Sequence, residues 1–198
     1  MELQTVIFYG KAGAGKGTQA QLLKKYLEER DKEHPVLYVE TGAAFREFAT
    51  QDNFTARLVK ETLDTGGLLP EFLPVWIWTD LFIKNITENE HIILDGLARQ
   101  RDEVPVLYHA LQFYRRPSIA VIVLHVSRAW SVLRLSERGR TDDTEAEVDK
   151  RLRWFDENVI PAIGTWRSIS GVLVREINGE QGMDIVHREI VKTLTVER

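Results

Sequence analysis

Residues 5–18, TVIFYGKAGAGKGT, set a short apolar run directly before a glycine-rich loop and a lysine. The run Thr5 to Tyr9 has the length and side-chain types of a buried strand, and residues 19–27 repeat apolar side chains at helical spacing. Glycines let successive backbone N–H groups converge on one anion, and the N-terminus of the following helix adds a favourable dipole. This context predicts a phosphate-binding P-loop formed by Gly13, Ala14, Gly15, Lys16, Gly17 and Thr18.

Neighbouring residues predict how the loop would hold a triphosphate and its metal. Lys16 offers a positive charge to the β- and γ-phosphates. Most P-loops have a Ser or Thr directly after this lysine to touch Mg²⁺, whereas here the hydroxyl comes one residue later, at Thr18. We therefore expect Mg²⁺ to be held mainly through water and phosphate. Asp95 follows a second apolar run and is expected to orient that water, unless Asp95 and Gly96 form only a turn.

Apolar runs recur along the chain, each with a helix-like stretch after it. Besides the first, they cover residues 36–39, 91–94, 119–126 and 172–177. Strands that alternate with helices favour a parallel sheet covered on both faces. The pattern predicts an α/β fold of the P-loop NTPase type, with a five-stranded parallel sheet flanked by helices.

Two segments interrupt this alternation. Residues 41–85 contain several helical patterns, broken near residues 65–67 and at Pro70, and predict a helical insertion. Residues 138–144 are polar and lead into a capping box, Thr144 to Glu147, which predicts a helix that runs to about Pro161. We expect a single domain whose parts are the core 1–40, 86–137 and 145–198, the insertion 41–85 and the short loop 138–144.

Composition narrows the class of protein. The chain has 198 residues, 43% of them hydrophobic, which suffices for one sizeable core. Its formal net charge of −4 argues against an extended nucleic-acid surface, and its longest apolar run, residues 119–124, is too short to span a membrane. The absence of cysteine excludes disulfides and a thiolate zinc site, and it fits a reducing compartment. We expect a cytoplasmic protein that has no nucleic-acid or membrane partner. A monomeric state is a separate expectation.

Four motifs follow one another over most of the chain. They are GKGTQ at residues 15–19, TGxxxR from Thr41 to Arg46, DGxxR from Asp95 to Arg99, and GRTDD at residues 139–143, which is followed by RL at 151–152. In this order and spacing they resemble the adenylate kinase family of nucleoside monophosphate kinases, in its short-lid form. The resemblance implies reversible, Mg²⁺-dependent transfer of the γ-phosphoryl group from ATP to AMP, which yields two ADP.

The resemblance also implies a role for each matching residue. Lys16, Arg99, Arg138, Arg140 and Arg151 would act on the phosphates during transfer, and Arg134 would stack on the adenine of ATP. An arginine fork suits phosphate oxygens because it donates two parallel hydrogen bonds. A general base is not needed, since the attacking group is already a phosphate oxyanion. The acceptor would contact Thr41, Gly42, Arg46, Leu68, Leu69, Gly96, Arg99, Glu103, Arg140 and Arg151.

Several positions depart from the family pattern. The aspartate that usually follows TG is Ala43, and the proline of DGFPR is Ala98, so we expect a differently shaped loop there. Glu103 replaces the glutamine that reads adenine. An ionised glutamate only accepts hydrogen bonds, which suits the N–H groups of guanine or the amino group of cytosine, although Gln100 is near enough to substitute. The loop between Arg138 and Arg140 is also shortened to one residue.

The sequence is also compatible with other functions. A GMP or UMP/CMP kinase differs from an adenylate kinase only in its base pocket. A P-loop switch or motor is a second alternative, but neither an N/T-K-x-D segment nor an LSGGQ-like signature is found. The five histidines show no metal-ligand spacing and are expected to be core or surface residues.

Overall fold

The computed structural model describes residues 1–65, 67–116, 118–138 and 144–196. Within these ranges, five parallel strands form one sheet in the order β2-β3-β1-β4-β5. The predicted α/β fold of the P-loop NTPase type is therefore confirmed. The strands are β1 Thr5–Gly10, β2 Val36–Glu40, β3 His91–Asp95, β4 Ile119–His125 and β5 Val172–Asn178.

Helices cover both faces of this sheet. None of those in the described ranges is long and apolar enough to cross a membrane. The helices are α1 Lys16–Arg30, α2 Thr41–Phe48, α3 Phe54–Asp64, α4 Phe72–Asn85, α5 Glu103–Phe113, α6 Arg128–Arg138, α7 Glu145–Trp154, α8 Ile160–Ser168 and α9 Met183–Val196, with a π-helical turn Phe155–Val159 between α7 and α8.

The central strand β1 is buried on both sides, as expected for a strand inside a parallel sheet. Val6 and Phe8 pack with residues of α1 and α9, whereas Ile7 and Tyr9 pack with α4, α5 and α8. Alternate side chains point to opposite faces of a strand, so one short apolar run contributes to both halves of the core. This double burial fixes the loop that follows β1 against the carboxyl edge of the sheet.

The helical insertion predicted between β2 and β3 consists of α2, α3 and α4. It has a small core of its own, formed by Phe45, Val59, Leu73 and Ile77. Asn53 caps α3 by accepting a hydrogen bond from the N–H of Ala56 (2.8 Å). The insertion thus packs as a unit beside the edge strand β2.

The predicted end of the helix near Pro161 is wrong. The N-terminus is as expected, since Thr144 Oγ1 accepts from the N–H of Glu147 (3.4 Å), but helical structure continues to Ser168. Pro161 lies in the first turn of α8, directly after the π-helical turn. A proline lacks an N–H group, and its position after an interruption of the regular hydrogen-bond ladder makes that loss tolerable.

A buried ion pair next to β3 gives a stability prediction. Glu90 and Arg116 are each 3% exposed, their side chains pair, and Arg116 Nη1 also donates to the carbonyl of Glu90 (2.9 Å). Arg116→Leu should lower the free energy of unfolding by about 3 kcal/mol, because the buried Glu90 carboxylate loses its partner. Urea unfolding of the wild type and the variant measures this difference in the free energy of unfolding.

The control variant Arg153→Leu removes an exposed pair with Asp149 (3.1 Å) and should cost less than about 1 kcal/mol. The double variant Glu90→Leu/Arg116→Leu should recover part of the lost stability, since no charge stays buried. Equal free energies of unfolding for Arg116→Leu and Arg153→Leu would contradict the conclusion that the buried pair of Glu90 and Arg116 matters more than an exposed pair.

Candidate active site

The glycine-rich loop lies between β1 and α1, and its glycines adopt conformations that other residues rarely adopt. Gly13 and Gly15 have φ angles of +82° and +84°. A Cβ atom on Gly13 would stand 3.0 Å from the carbonyl oxygen of Ser131, while around a Cβ on Gly15 there is open space. Lys16 begins α1, and its Nζ donates to the carbonyls of Gly10 (2.8 Å) and Lys11 (3.1 Å). The loop thus directs backbone N–H groups and an ammonium toward one side.

Asp95 is the last residue of β3, and its carboxylate faces this loop. It is 7% exposed, and Oδ2 lies 3.5 Å from the place where a Cβ on Gly17 would stand. Tyr38 donates its hydroxyl to the same oxygen (3.3 Å). Burial raises the pKa of Asp95, whereas the charges of Lys16 and Arg99 oppose that shift. Asp95 is therefore more than a turn residue, and its carboxylate fits a hard, hydrated cation held beside the loop.

A large cleft opens between the insertion and the carboxyl edge of the sheet, with a volume of about 1430 Å³. It is big enough for a nucleotide. The cleft brings together every acceptor-side residue predicted from the sequence and described in the structure, apart from Arg151: Thr41, Gly42, Arg46, Leu68, Leu69, Gly96, Arg99 and Glu103.

Arg46 and Arg99, the two arginines predicted from the sequence, lie among the positive side chains of the cleft, which also include Arg57 and Lys60. Arg99 Nε donates to the carbonyl of Gly96 (2.7 Å), which turns its guanidinium back over the loop after β3. Gly96 has φ of +76°, and a side chain there would collide with this guanidinium. Arg46 on α2 pairs with Glu40 (3.1 Å) and is more than half exposed. The glycine of the DGxxR motif is thus needed for the position of its arginine.

Glu103 begins α5 and is 5% exposed although it lines the cleft. Its Oε2 accepts a hydrogen bond from the backbone N–H of Arg99 (3.1 Å). Burial raises the pKa of the Glu103 carboxyl to about 7. Gln100, the possible substitute, lines the same cleft.

The ATP side of the site is described in part. Arg134 on α6 lies over the Trp130 ring (5.4 Å from guanidinium carbon to ring centroid) and pairs with Glu137 (3.2 Å). Its Cβ is 3.4 Å from the place of a Cβ on Gly13, so α6 packs beside the glycine-rich loop. The Arg138 side chain and residues 139–143, Arg140 included, lie outside the described residues, so their expected roles stay predictions.

Arg151 is carried by α7 rather than by the cleft wall. Its Nε donates to the carbonyl of Glu147 (3.4 Å). Val148 and Leu152 of the same helix pack with Leu135 of α6 and with Ala12 of the loop. This packing holds the helix that bears Arg151 next to the glycine-rich loop. Trp154, on the last turn of α7, lines the same cleft as Glu103, which the sequence did not indicate.

Comparison with known proteins agrees with this geometry. A family model described as adenylate kinase matches residues 8–170. The chain is 32% identical to an adenylate kinase of Prochlorococcus marinus (strain NATL2A), over 96% of this chain and 97% of the relative. It is 30% identical to adenylate kinase 1 of Nostoc sp., with the same coverage, and 34% identical over 150 residues to an adenylate kinase of Mycobacterium leprae.

The chain belongs to the adenylate kinase family. It is therefore a nucleoside monophosphate kinase, a phosphotransferase, and the switch or motor considered from the sequence is set aside. The general reaction of the adenylate kinase family is phosphoryl transfer between nucleotides, which agrees with a P-loop beside an arginine-lined cleft.

In this adenylate kinase family member, Ala98 occupies the place of the proline in the DGFPR pattern. Ala98 has a φ angle of +48°. Proline cannot adopt this value, because its ring holds φ at about −65°. Its carbonyl accepts from the Tyr9 hydroxyl (2.7 Å), which in turn accepts from Trp166 Nε1 (2.9 Å). This backbone conformation agrees with the absence of proline here, whereas a loop shape that differs from that of the family stays a prediction.

The structure also groups residues that sequence spacing did not. Asp31, His34 and His91 place one ligand atom each within 4.8 Å of the others. However, His91 Nδ1 accepts the N–H of Gln4 (2.9 Å), so the proton of its neutral ring lies on Nε2, 3.3 Å from Asp31 Oδ2. A protonated Nε2 offers no lone pair to a metal. The expectation that the histidines are structural therefore stands for His91, which is completely buried.

Proposed function

We propose that this protein is an adenylate kinase that transfers the γ-phosphoryl group of Mg²⁺-bound ATP reversibly to AMP, which yields two ADP. One observation carries the proposal. The acceptor cleft, with Arg46 and Arg99, opens beside the P-loop at the carboxyl edge of the same sheet, so donor and acceptor phosphates have adjoining positions.

The donor would be held by the loop and by α6. Backbone N–H groups of residues 13–18 and Lys16 bind its β- and γ-phosphates, and Arg134 stacks on its adenine. Arg138, Arg140 and Arg151 complete the positive charge around the transferred group. The observation in support is that the Arg134 guanidinium already lies over the ring of Trp130 (5.4 Å to the centroid).

The acceptor would be held by the cleft. Arg99 and Arg46 bind its phosphate, and Thr41, Gly42, Leu68, Leu69 and Gly96 surround the nucleoside. An oxygen of the acceptor phosphate forms a bond to the γ-phosphorus, the bond from that phosphorus to the β–γ bridging oxygen breaks, and ADP leaves with the electron pair. The protein's contribution is positioning and charge neutralisation.

Mg²⁺, bound with ATP, would neutralise charge that develops on the phosphate oxygens. Asp95 is the residue that would hold it, through water, and the remaining contacts would come from water and phosphate. The observation in support is the buried Asp95 carboxylate, whose Oδ2 faces Gly17.

A GMP kinase is the second candidate, and Glu103 favours it. When ionised, this side chain would accept the N1–H and N2–H₂ donors of guanine. A cytoplasmic location, supported by the cysteine-free composition, and a monomeric state remain predictions.

An acceptor screen tests the proposal. With ATP and Mg²⁺ against AMP, GMP, CMP, UMP and their deoxy forms at about pH 7, we expect the highest kcat/KM for AMP and two ADP per turnover. ³¹P NMR and a coupled ADP assay measure both. ADP formation that no monophosphate raises above the level with ATP alone would contradict the proposal.

A further inference from the structure

Glu103 carries a buried carboxyl group that lines the acceptor cleft. It is 5% exposed, and the cleft has apolar side chains, among them Trp78, Leu97 and Trp154, as well as charged ones. The hydrogen bond from the Arg99 N–H fixes Oε2 (3.1 Å), so the orientation of the carboxyl group is set before any ligand binds. Carboxyl groups at such sites are neutral more readily than those in water.

The charged groups around Glu103 act on its ionisation in opposite directions. From the loop after β3, the Arg99 guanidinium favours the ionised form, and from the segment before α4, Glu71 opposes it. From β1, the Tyr9 hydroxyl already donates to Ala98 and accepts from Trp166. Burial is the largest influence, and it raises the pKa of Glu103 to about 7.

The two protonation states recognise different bases. A neutral carboxyl has one O–H donor and one acceptor oxygen, which is the pattern of a glutamine amide. That pattern complements adenine, whose N1 accepts and whose N6 amino group donates. The ionised carboxylate has acceptors alone, and these complement the N1–H and N2–H₂ donors of guanine.

We infer that Glu103 reads the acceptor base as a protonated carboxyl, equivalent to a glutamine amide, so that preference for AMP over GMP is strongest below neutral pH and declines as pH rises. The inference rests on the proposed function, and it names the group that determines the acceptor. It also reconciles a glutamate at this position with the adenine acceptor of the proposed reaction.

The test compares the wild type with Glu103→Gln. The ratio of kcat/KM for AMP to that for GMP should fall by about tenfold in the wild type between about pH 6 and about pH 8.5, and it should stay level in the variant, whose amide does not titrate. Protonation of ATP and of the acceptor phosphates, and its effect on Mg²⁺ binding, is the same for both proteins and cancels in the comparison.

Two further variants locate the effect. Glu71→Gln removes the charge that opposes ionisation of Glu103, so the decline should move to lower pH. Glu28→Gln alters an exposed residue of α1 and should leave the profile unchanged.

Proton uptake provides a readout without catalysis. Calorimetric titration of the wild type with AMP at about pH 8, in buffers of different ionisation enthalpy, should show uptake of close to one proton per AMP, and GMP should show none. This measurement requires no variant, so it decides the matter even if Glu103→Gln folds poorly.

The outcomes separate the inference from the proposed function. Two results would overturn the inference and leave the adenylate kinase proposal intact. One is transfer to AMP with a ratio of kcat/KM for AMP to that for GMP that does not change with pH in either the wild type or Glu103→Gln. The other is AMP binding without proton uptake. Failure to phosphorylate any monophosphate would overturn the proposed function, while proton uptake on AMP binding would still decide how Glu103 reads the base.

Discussion

Replacing Lys16 with alanine is expected to lower kcat for phosphoryl transfer by about a hundredfold to a thousandfold, with the fold intact. Lys16 Nζ donates hydrogen bonds to the carbonyls of Gly10 and Lys11, so its charge lies beside the glycine-rich loop rather than in the core. The substitution therefore removes a phosphate-binding charge and little packing. Steady-state kinetics with ATP and AMP measure the loss, and thermal melting followed by circular dichroism checks the fold.

Lys25→Ala is the matched control for this variant. Lys25 lies on the same helix, is largely exposed, and forms only a loose pair with Glu29 (3.8 Å). Its loss should change kcat by less than about twofold, since exposed pairs contribute little. If Lys16→Ala stayed within about threefold of the wild type, the P-loop would not be the donor site.

The second large effect is expected from Arg99→Ala. The acceptor kcat/KM should fall by about a hundredfold, while the affinity for ATP stays close to that of the wild type, because Arg99 lines the acceptor cleft. The backbone N–H that binds Glu103 is kept in this variant, so the hydrogen bond that orients the Glu103 carboxyl group is preserved. Arg46→Ala should act in the same direction and more weakly, since Arg46 is more than half exposed.

Arg101→Ala tests whether position, rather than net charge, matters. Arg101 is exposed in the same loop and is absent from the cleft wall described here. The Arg101→Ala substitution should leave the acceptor kcat/KM and the affinity for ATP unchanged. A fall in ATP affinity at unchanged acceptor affinity in Arg99→Ala would show that the donor and acceptor sides are assigned the wrong way round.

Features encoded within short stretches of sequence were predicted well. The strand and loop of residues 5–18, the five apolar runs and the cap at Thr144 depend on side-chain types and spacing over a few residues. The end of the helical segment that begins after Thr144 was predicted wrongly. Pro161 is a local stop signal, and the π-helical turn that accommodates it depends on how α7 and α8 pack against the rest of the protein.

The sequence also identified the residues of the candidate site without their surroundings. Asp95 and Glu103 were both singled out, but neither their burial nor their hydrogen-bond partners could be read from position. Tyr38 meets Asp95 across two strands that are far apart in the chain, and Trp154 joins Glu103 in the cleft from α7. Such contacts follow from the strand order and helix packing rather than from local spacing.

By itself, then, the sequence determined the P-loop, the parallel sheet and the family motifs, because the backbone conformation and charge they require are properties of neighbouring residues. Only the tertiary structure decided the state of Glu103. Its pKa near 7 results from burial among side chains that the fold brings together from distant segments, and that burial, which penalises the charged form, has no counterpart in the linear pattern.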